Sequence, residues 1–118
     1  GILTSNSAEN VKLFLEHHKL TPLIDFIYSG RKLFRKDLVM AKMLKDEQLS
    51  RENVVYVGDE TRDIEASKKT GIPVVAVCWG MNDATTLSGL HPEGLIASPD
   101  ELLECVRNIF SQRSCLLA

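Results

Sequence analysis

Residues 54–66 read Val-Val-Tyr-Val-Gly-Asp-Glu-Thr-Arg-Asp-Ile-Glu-Ala, and no other stretch limits the fold as tightly. Four apolar, mostly β-branched residues predict a buried strand over 54–57. Gly58 then turns the chain, and Asp59 and Asp63 follow at i and i+4 as a helix opens. In a parallel α/β sheet this junction lies at the carboxyl ends of the strands, where ligands bind. Two carboxylates held there by a rigid strand suit a hard, oxygen-seeking cation such as Mg²⁺. The same residues also admit a local role, with Asp59 or Thr61 capping the helix and Asp63 complementing its dipole.

Strand and helix signals alternate along the rest of the chain, as in a parallel α/β sheet. Residues 1–5 read as the end of a strand whose abrupt start implies a preceding segment. Ser7 caps a helix in which Val11, Phe14, Leu15 and His18 recur at helical spacing. A short strand is expected over 24–28, closed by Ser29-Gly30, and then a helix over about 36–49 with Met40, Met43 and Leu44 on one face. Gly71 is placed as a C-terminal cap with Pro73 just beyond it. Further strands are expected over 74–78 and 94–97, with a short helix near 84–88 between them. Ser98-Pro99-Asp100-Glu101 forms a capping box with proline at the first helical position. The helix it opens is expected to bury Leu102, Leu103, Val106, Ile109 and Phe110. Residues 1–110 thus make one domain, and 111–118 remain an unassigned tail.

Composition narrows the function classes. A chain of 118 residues has room for one domain with a modest core. A net charge of −2 gives no footprint for nucleic acid and no polybasic patch for a membrane surface. No apolar run approaches the roughly 20 residues of a membrane span. Cys78, Cys105 and Cys115 lack metal-ligand spacing and read as thiols of a reducing, cytoplasmic compartment.

The Gly58-Asp59-x-x-x-Asp63 segment resembles that of the haloacid dehalogenase (HAD) superfamily, whose members are mostly Mg²⁺-dependent phosphatases. Residues 68–80, Lys-Lys-Thr-Gly-Ile-Pro-Val-Val-Ala-Val-Cys-Trp-Gly, extend the likeness to phosphoglycolate-phosphatase-like members. The resemblance implies a three-layer, Rossmann-like, mostly parallel sheet. It implies Asp59 as a direct metal ligand, with a catalytic part, and Asp63 nearer the second coordination shell. Ile2-Leu3-Thr4-Ser5-Asn6-Ser7 resembles the family strand ending in a phosphate-binding hydroxyl, with Thr4 the match and Ser5 second. Taken alone, Thr4-Ser5-Asn6-Ser7 favours ordinary turn and cap roles. Phe34-Arg35-Lys36-Asp37 resembles the segment that carries the family's lysine. Lys36 is the match, with catalytic and phosphate-binding roles, and Lys32 is second. Arg35 stands where the family has glycine. A lysine in a first helical turn opposes the dipole by about 0.3–1 kcal/mol, a misfit that a nearby anion would offset. His17-His18 read as surface, Trp79–Asn82 as site rim or packing, Glu60 as an exposed acid at the helix start, and Cys115 as an exposed tail thiol.

One departure matters more than the match. The resemblance implies an Asp-x-Asp strand that carries the attacking carboxylate and the acid/base, and the chain contains no Asp-x-Asp. The expectation is therefore the C-terminal part of a HAD core, inactive alone, acting in a parent protein on a small phosphorylated substrate. Few residues separate Thr4 from Lys36, so no large cap fits between them. Without the first strand, the sheet is incomplete between the Thr4 and Val54 strands. Either residues 1–5 shift to pair with 54–57, or a retained N-terminal fragment or a homodimer partner completes it. A non-catalytic α/β binding or dimerisation module is the alternative reading.

Overall fold

The computed structural model describes residues 1–29 and 35–117, with side chains as far as residue 113. Among the described residues five short strands alternate with five α-helices. They are β1 (Ile2–Thr4), α1 (Ala8–His17), β2 (Ile27–Ser29), α2 (Lys36–Asp46), β3 (Tyr56–Gly58), α3 (Thr61–Thr70), β4 (Val74–Val77), α4 (Ala84–Ser88), β5 (Gly94–Ile96) and α5 (Leu102–Leu117). All strand pairs are parallel, in two sheets ordered β1-β2 and β3-β4-β5. This is the α/β class that the alternating pattern predicts.

The core explains the order. β4 is central in its sheet and buried at every residue, as a parallel strand covered on both faces must be. Ile64 of α3 and Leu87 of α4 pack with Val74 and Ala76 on one face. Ile109 of α5 packs with Val75, Val77 and Ile96 on the other. Met40 and Met43 of α2 join Ala66 and Ile72, and Leu3, Tyr28 and Tyr56 pack against that cluster. Thus α2 ties β1, β2 and β3 to one core although β1 and β3 do not pair.

Several boundaries differ from expectation, each for a local reason. The strand expected over 54–57 pairs over Tyr56–Gly58, because β4 begins only at Val74 and Tyr56 N–H donates to the Pro73 carbonyl (2.9 Å). The strand expected from residue 24 begins at Ile27, because Thr21–Leu23 forms a 3₁₀ turn with Pro22 in its first turn. Helix α2 stops at Asp46, where Gln48 takes a positive φ of 55°. Leu103 is 61% exposed, since α5 buries Ile109 and turns Leu103 to solvent. Phe14 is 58% exposed, while Leu15 is the buried residue of α1. The expected tail is helical through Leu117. Gly30, Lys32 and Phe34 lie outside the described residues, as do the side chain of Cys115 and Ala118. Among the described residues no helix is long and apolar enough to cross a membrane.

The sheet takes no internal repair. β1 pairs with β2 and β3 pairs with β4, so the expected shift of residues 1–5 onto the Val54 strand does not occur.

Candidate active site at the carboxyl ends of the strands

The β3–α3 junction is built around a buried carboxylate. Asp63 is 2% exposed, and both its oxygens are engaged. Oδ2 accepts the backbone N–H groups of Asp59 and Glu60, each at 3.1 Å. Oδ1 accepts the Lys36 ammonium and the Tyr56 hydroxyl, the latter at 3.4 Å. A Cβ on Gly58 would lie 2.3 Å from Asp63 Oδ2, so only glycine lets this carboxylate tuck beneath the turn. Burial, then the Asp63 charge, pushes the Tyr56 hydroxyl well above its ordinary pKa, which keeps it protonated as a donor.

Asp59 stands one step nearer solvent. Its Oδ2 accepts Met81 N–H at 2.7 Å, and its carbonyl accepts Asn82 N–H at 3.1 Å. Asn82 Oδ1 in turn accepts Thr61 N–H at 3.1 Å. Glu60 turns its carboxylate to Arg62 (2.6 and 2.9 Å) and is half-buried, where an exposed acid was expected at the helix start. The N-cap of α3 is Glu60, and neither Asp59 nor Thr61 takes that place.

The Lys36–Asp63 ion pair sets the N-termini of α2 and α3 side by side. Both helices follow strands, so the carboxyl ends of β2 and β3 share one edge of the molecule. Thr4 ends β1 opposite Ser29 of β2 and therefore stands on that edge too. Its Oγ1 accepts Asn6 N–H at 3.1 Å, which leaves the hydroxyl proton to donate. Ser5 is exposed beside it. The structure thus brings Lys36, Asp59 and Asp63 together. Thr4, at the end of β1 in the other sheet, and Ser5 just after it make no hydrogen bond to that cluster among the described residues. Sequence reasoning missed Tyr56, and it reached Asn82 only as part of the 79–82 segment read as site rim or packing. Alternation along β3 puts Tyr56 on the Gly58 face; the strand end before Trp79 marks the rim, whereas nothing local marks Asn82 as the residue that bridges the turn.

The donor set suits Mg²⁺ in kind, being carboxylate oxygen alone, and Mg²⁺ needs only one or two protein carboxylates. Asp59 Oδ1 would be the ligand atom, and Asp63 would act behind it by holding the turn and the lysine. Among the described residues no three His, Cys, Asp or Glu side chains gather as a metal cage.

Comparison with known proteins follows the same lines. A family model described as haloacid dehalogenase-like hydrolase matches residues 1–77. A phosphoglycolate phosphatase from Synechococcus elongatus is 37% identical over 112 residues, which is 95% of this chain and 53% of that protein. A predicted phosphatase from Clostridium acetobutylicum superposes with a TM-score of 0.79 at 23% identity, over 88% of this chain and 50% of that one. A haloacid dehalogenase-like hydrolase from Streptococcus pneumoniae gives a TM-score of 0.73 at 22% identity, over 85% and 48%. The chain spans about half the length of the relatives it matches.

Proposed function

This chain belongs to the haloacid dehalogenase-like hydrolases, and on that premise we propose that it forms half of a Mg²⁺-dependent phosphomonoesterase. The substrate class is a small phosphorylated metabolite such as phosphoglycolate, a choice supported by the relative that shares 37% identity. The observation that carries the reading is Lys36 ion-paired to buried Asp63 directly behind Asp59, at the carboxyl end of β3.

Each residue has a separable part. Asp59 offers an open carboxylate oxygen to the cation, which would supply charge neutralisation at the transferring phosphoryl group. Lys36, at 15% side-chain exposure, keeps its ammonium anchored at one carboxylate while presenting positive charge toward a phosphoryl oxygen. Thr4 supplies a neutral donor to the same group. Asp63 is not spent on the substrate; it holds the turn and the lysine. The attacking carboxylate and the acid/base come from the part of the protein outside this sequence, as does the strand that closes the sheet between β1 and β3. Losing a covalent nucleophile removes the pathway itself, not a fraction of the barrier. The 118 residues alone therefore bind Mg²⁺ weakly and do not turn over phosphate esters.

The test is Mg²⁺-dependent hydrolysis of an aryl phosphate and of phosphoglycolate, by the chain alone and by a longer protein that includes the upstream half. The chain alone should be inactive. The longer protein should be active and lose at least about a hundredfold on Asp59→Asn. Asp59-dependent turnover by the 118 residues would place the nucleophile within them and overturn the reading.

A further inference from the structure

The loop after β4 is clamped to the β3–α3 turn at three points. Met81 N–H donates to Asp59 Oδ2, Asn82 N–H to the Asp59 carbonyl, and Thr61 N–H to Asn82 Oδ1. Asn82 therefore bridges both ends of the turn that begins with Asp59. Gly80 lies against the acid's side chain, where an added Cβ would stand 2.1 Å from Oδ2 and 2.4 Å from the Asp59 Cβ.

Core packing is not what holds this loop in place. Trp79 and Met81, its large apolar residues, are 50% and 72% exposed. The loop meets the turn through its backbone and one amide side chain: one contact lands on the Asp59 carboxylate, one on the Asp59 carbonyl and one on Thr61 N–H. A carboxylate on a loop has a broad, roughly two-fold terminal torsion. Tying Oδ2 to Met81 N–H settles that torsion and aims Oδ1.

We infer that Asn82 is a positioning residue for the Asp59 carboxylate, acting by fixing the loop that carries Met81 N–H, and that Gly80 is required for the same approach. The inference deepens the proposed function, since Asp59 is the metal ligand there. It has its own observable, however, because the clamp exists whether or not a cation binds.

The experiment takes the 118-residue chain as wild type, Asn82→Ala, Asn82→Asp, Gly80→Ala and Asp59→Asn. Three readouts are compared: amide exchange at Met81 and Thr61, Mn²⁺-induced broadening of amide signals over 58–63, and the unfolding midpoint. Asn82→Ala should lower Met81 protection and weaken Mn²⁺ binding, each by about three- to tenfold, as expected for one lost hydrogen bond. Asn82→Asp keeps the acceptor that Thr61 N–H uses and should restore Met81 protection. Gly80→Ala should reproduce the loss without touching Asn82. Unchanged exchange and unchanged Mn²⁺ broadening in Asn82→Ala would overturn the inference, whatever the unfolding midpoint does. If the exchange changes appear but Mn²⁺ broadens nothing even in the wild type, the positioning role stands and the metal reading fails.

Discussion

At the scale of single residues, Asp63 carries more than its sequence position suggests. It accepts from Lys36, Tyr56 and two backbone N–H groups while almost wholly buried. Removing one partner of a buried ion pair leaves the other uncompensated, at a cost of about 3–5 kcal/mol. Asp63→Ala should therefore lose roughly that much in urea denaturation, a large part of what a domain this size has in hand. A loss under about 1 kcal/mol would mean the network contributes little. Tyr56 makes a second, pH-dependent prediction. Its hydroxyl holds its proton to higher pH folded than unfolded, where the ordinary value is 10.0. The folded state thus binds more protons above pH 10, and stability falls as pH rises through that range. The contribution is fully present below pH 10. Urea midpoints followed from pH 8 upward should decline less steeply in Tyr56→Phe than in the wild type. Tyr28, pushed up to about 12 chiefly by its hydrogen bond to Glu47, leaves part of the slope in place.

At the scale of elements, caps decide where each helix starts and stops. Gly71 closes α3 at a φ of 75°, and a Cβ there would also meet the Arg51 side chain at 3.3 Å. Gly71→Ala should cost about 1–2 kcal/mol, read as a lower thermal midpoint with the helix otherwise intact. Ser7 accepts Asn10 N–H at the start of α1, and Asp83 accepts Thr86 N–H at the start of α4. Ser98 and Glu101 close the capping box ahead of α5. The caps at Ser7, Gly71 and Ser98 were legible because they need only neighbours in sequence, whereas that of α3 falls on Glu60, between the two residues expected. Strand limits were less legible, because a strand ends where its partner does. Tyr56–Gly58 is displaced from the apolar run at 54–57 for that reason.

At the scale of the whole molecule, the feature that stands out is the break between β1-β2 and β3-β4-β5, with α2 spanning it. Ile2 N–H bonds Phe26 and Tyr56 N–H bonds Pro73, so alternation turns the N–H groups of Leu3 and Val57 toward the open edges. Val57 is 42% exposed although it lies in register with fully buried Val75. A groove of about 520 Å³ lined by Ile2, Val11, Leu13 and Phe14, with Thr4, Asn6 and Asn10 as its polar residues, adjoins β1. We expect Leu3 and Val57 amides to exchange rapidly in the isolated chain. They should become protected in a longer protein that includes the upstream half, or in a homodimer that exchanges a strand. Size-exclusion chromatography of the same samples separates these two cases. Slow exchange at both amides in a monomeric 118-residue chain would show that no further strand is needed.

The sequence by itself determined the strand–helix alternation, most of the helix caps, the buried run of β4, and the Gly-Asp-x-x-x-Asp junction. Those features depend on local sterics, on periodicity and on short-range hydrogen bonds. Only the tertiary structure decided how they are used. It placed Lys36 on Asp63 rather than free in the site, and it brought Tyr56 beneath the same carboxylate. It also carried the loop of Gly80, Met81 and Asn82 from the next strand onto Asp59. Contacts across 21 to 27 positions form only when the helices and loops that carry them pack together, and no local pattern encodes which ones those will be.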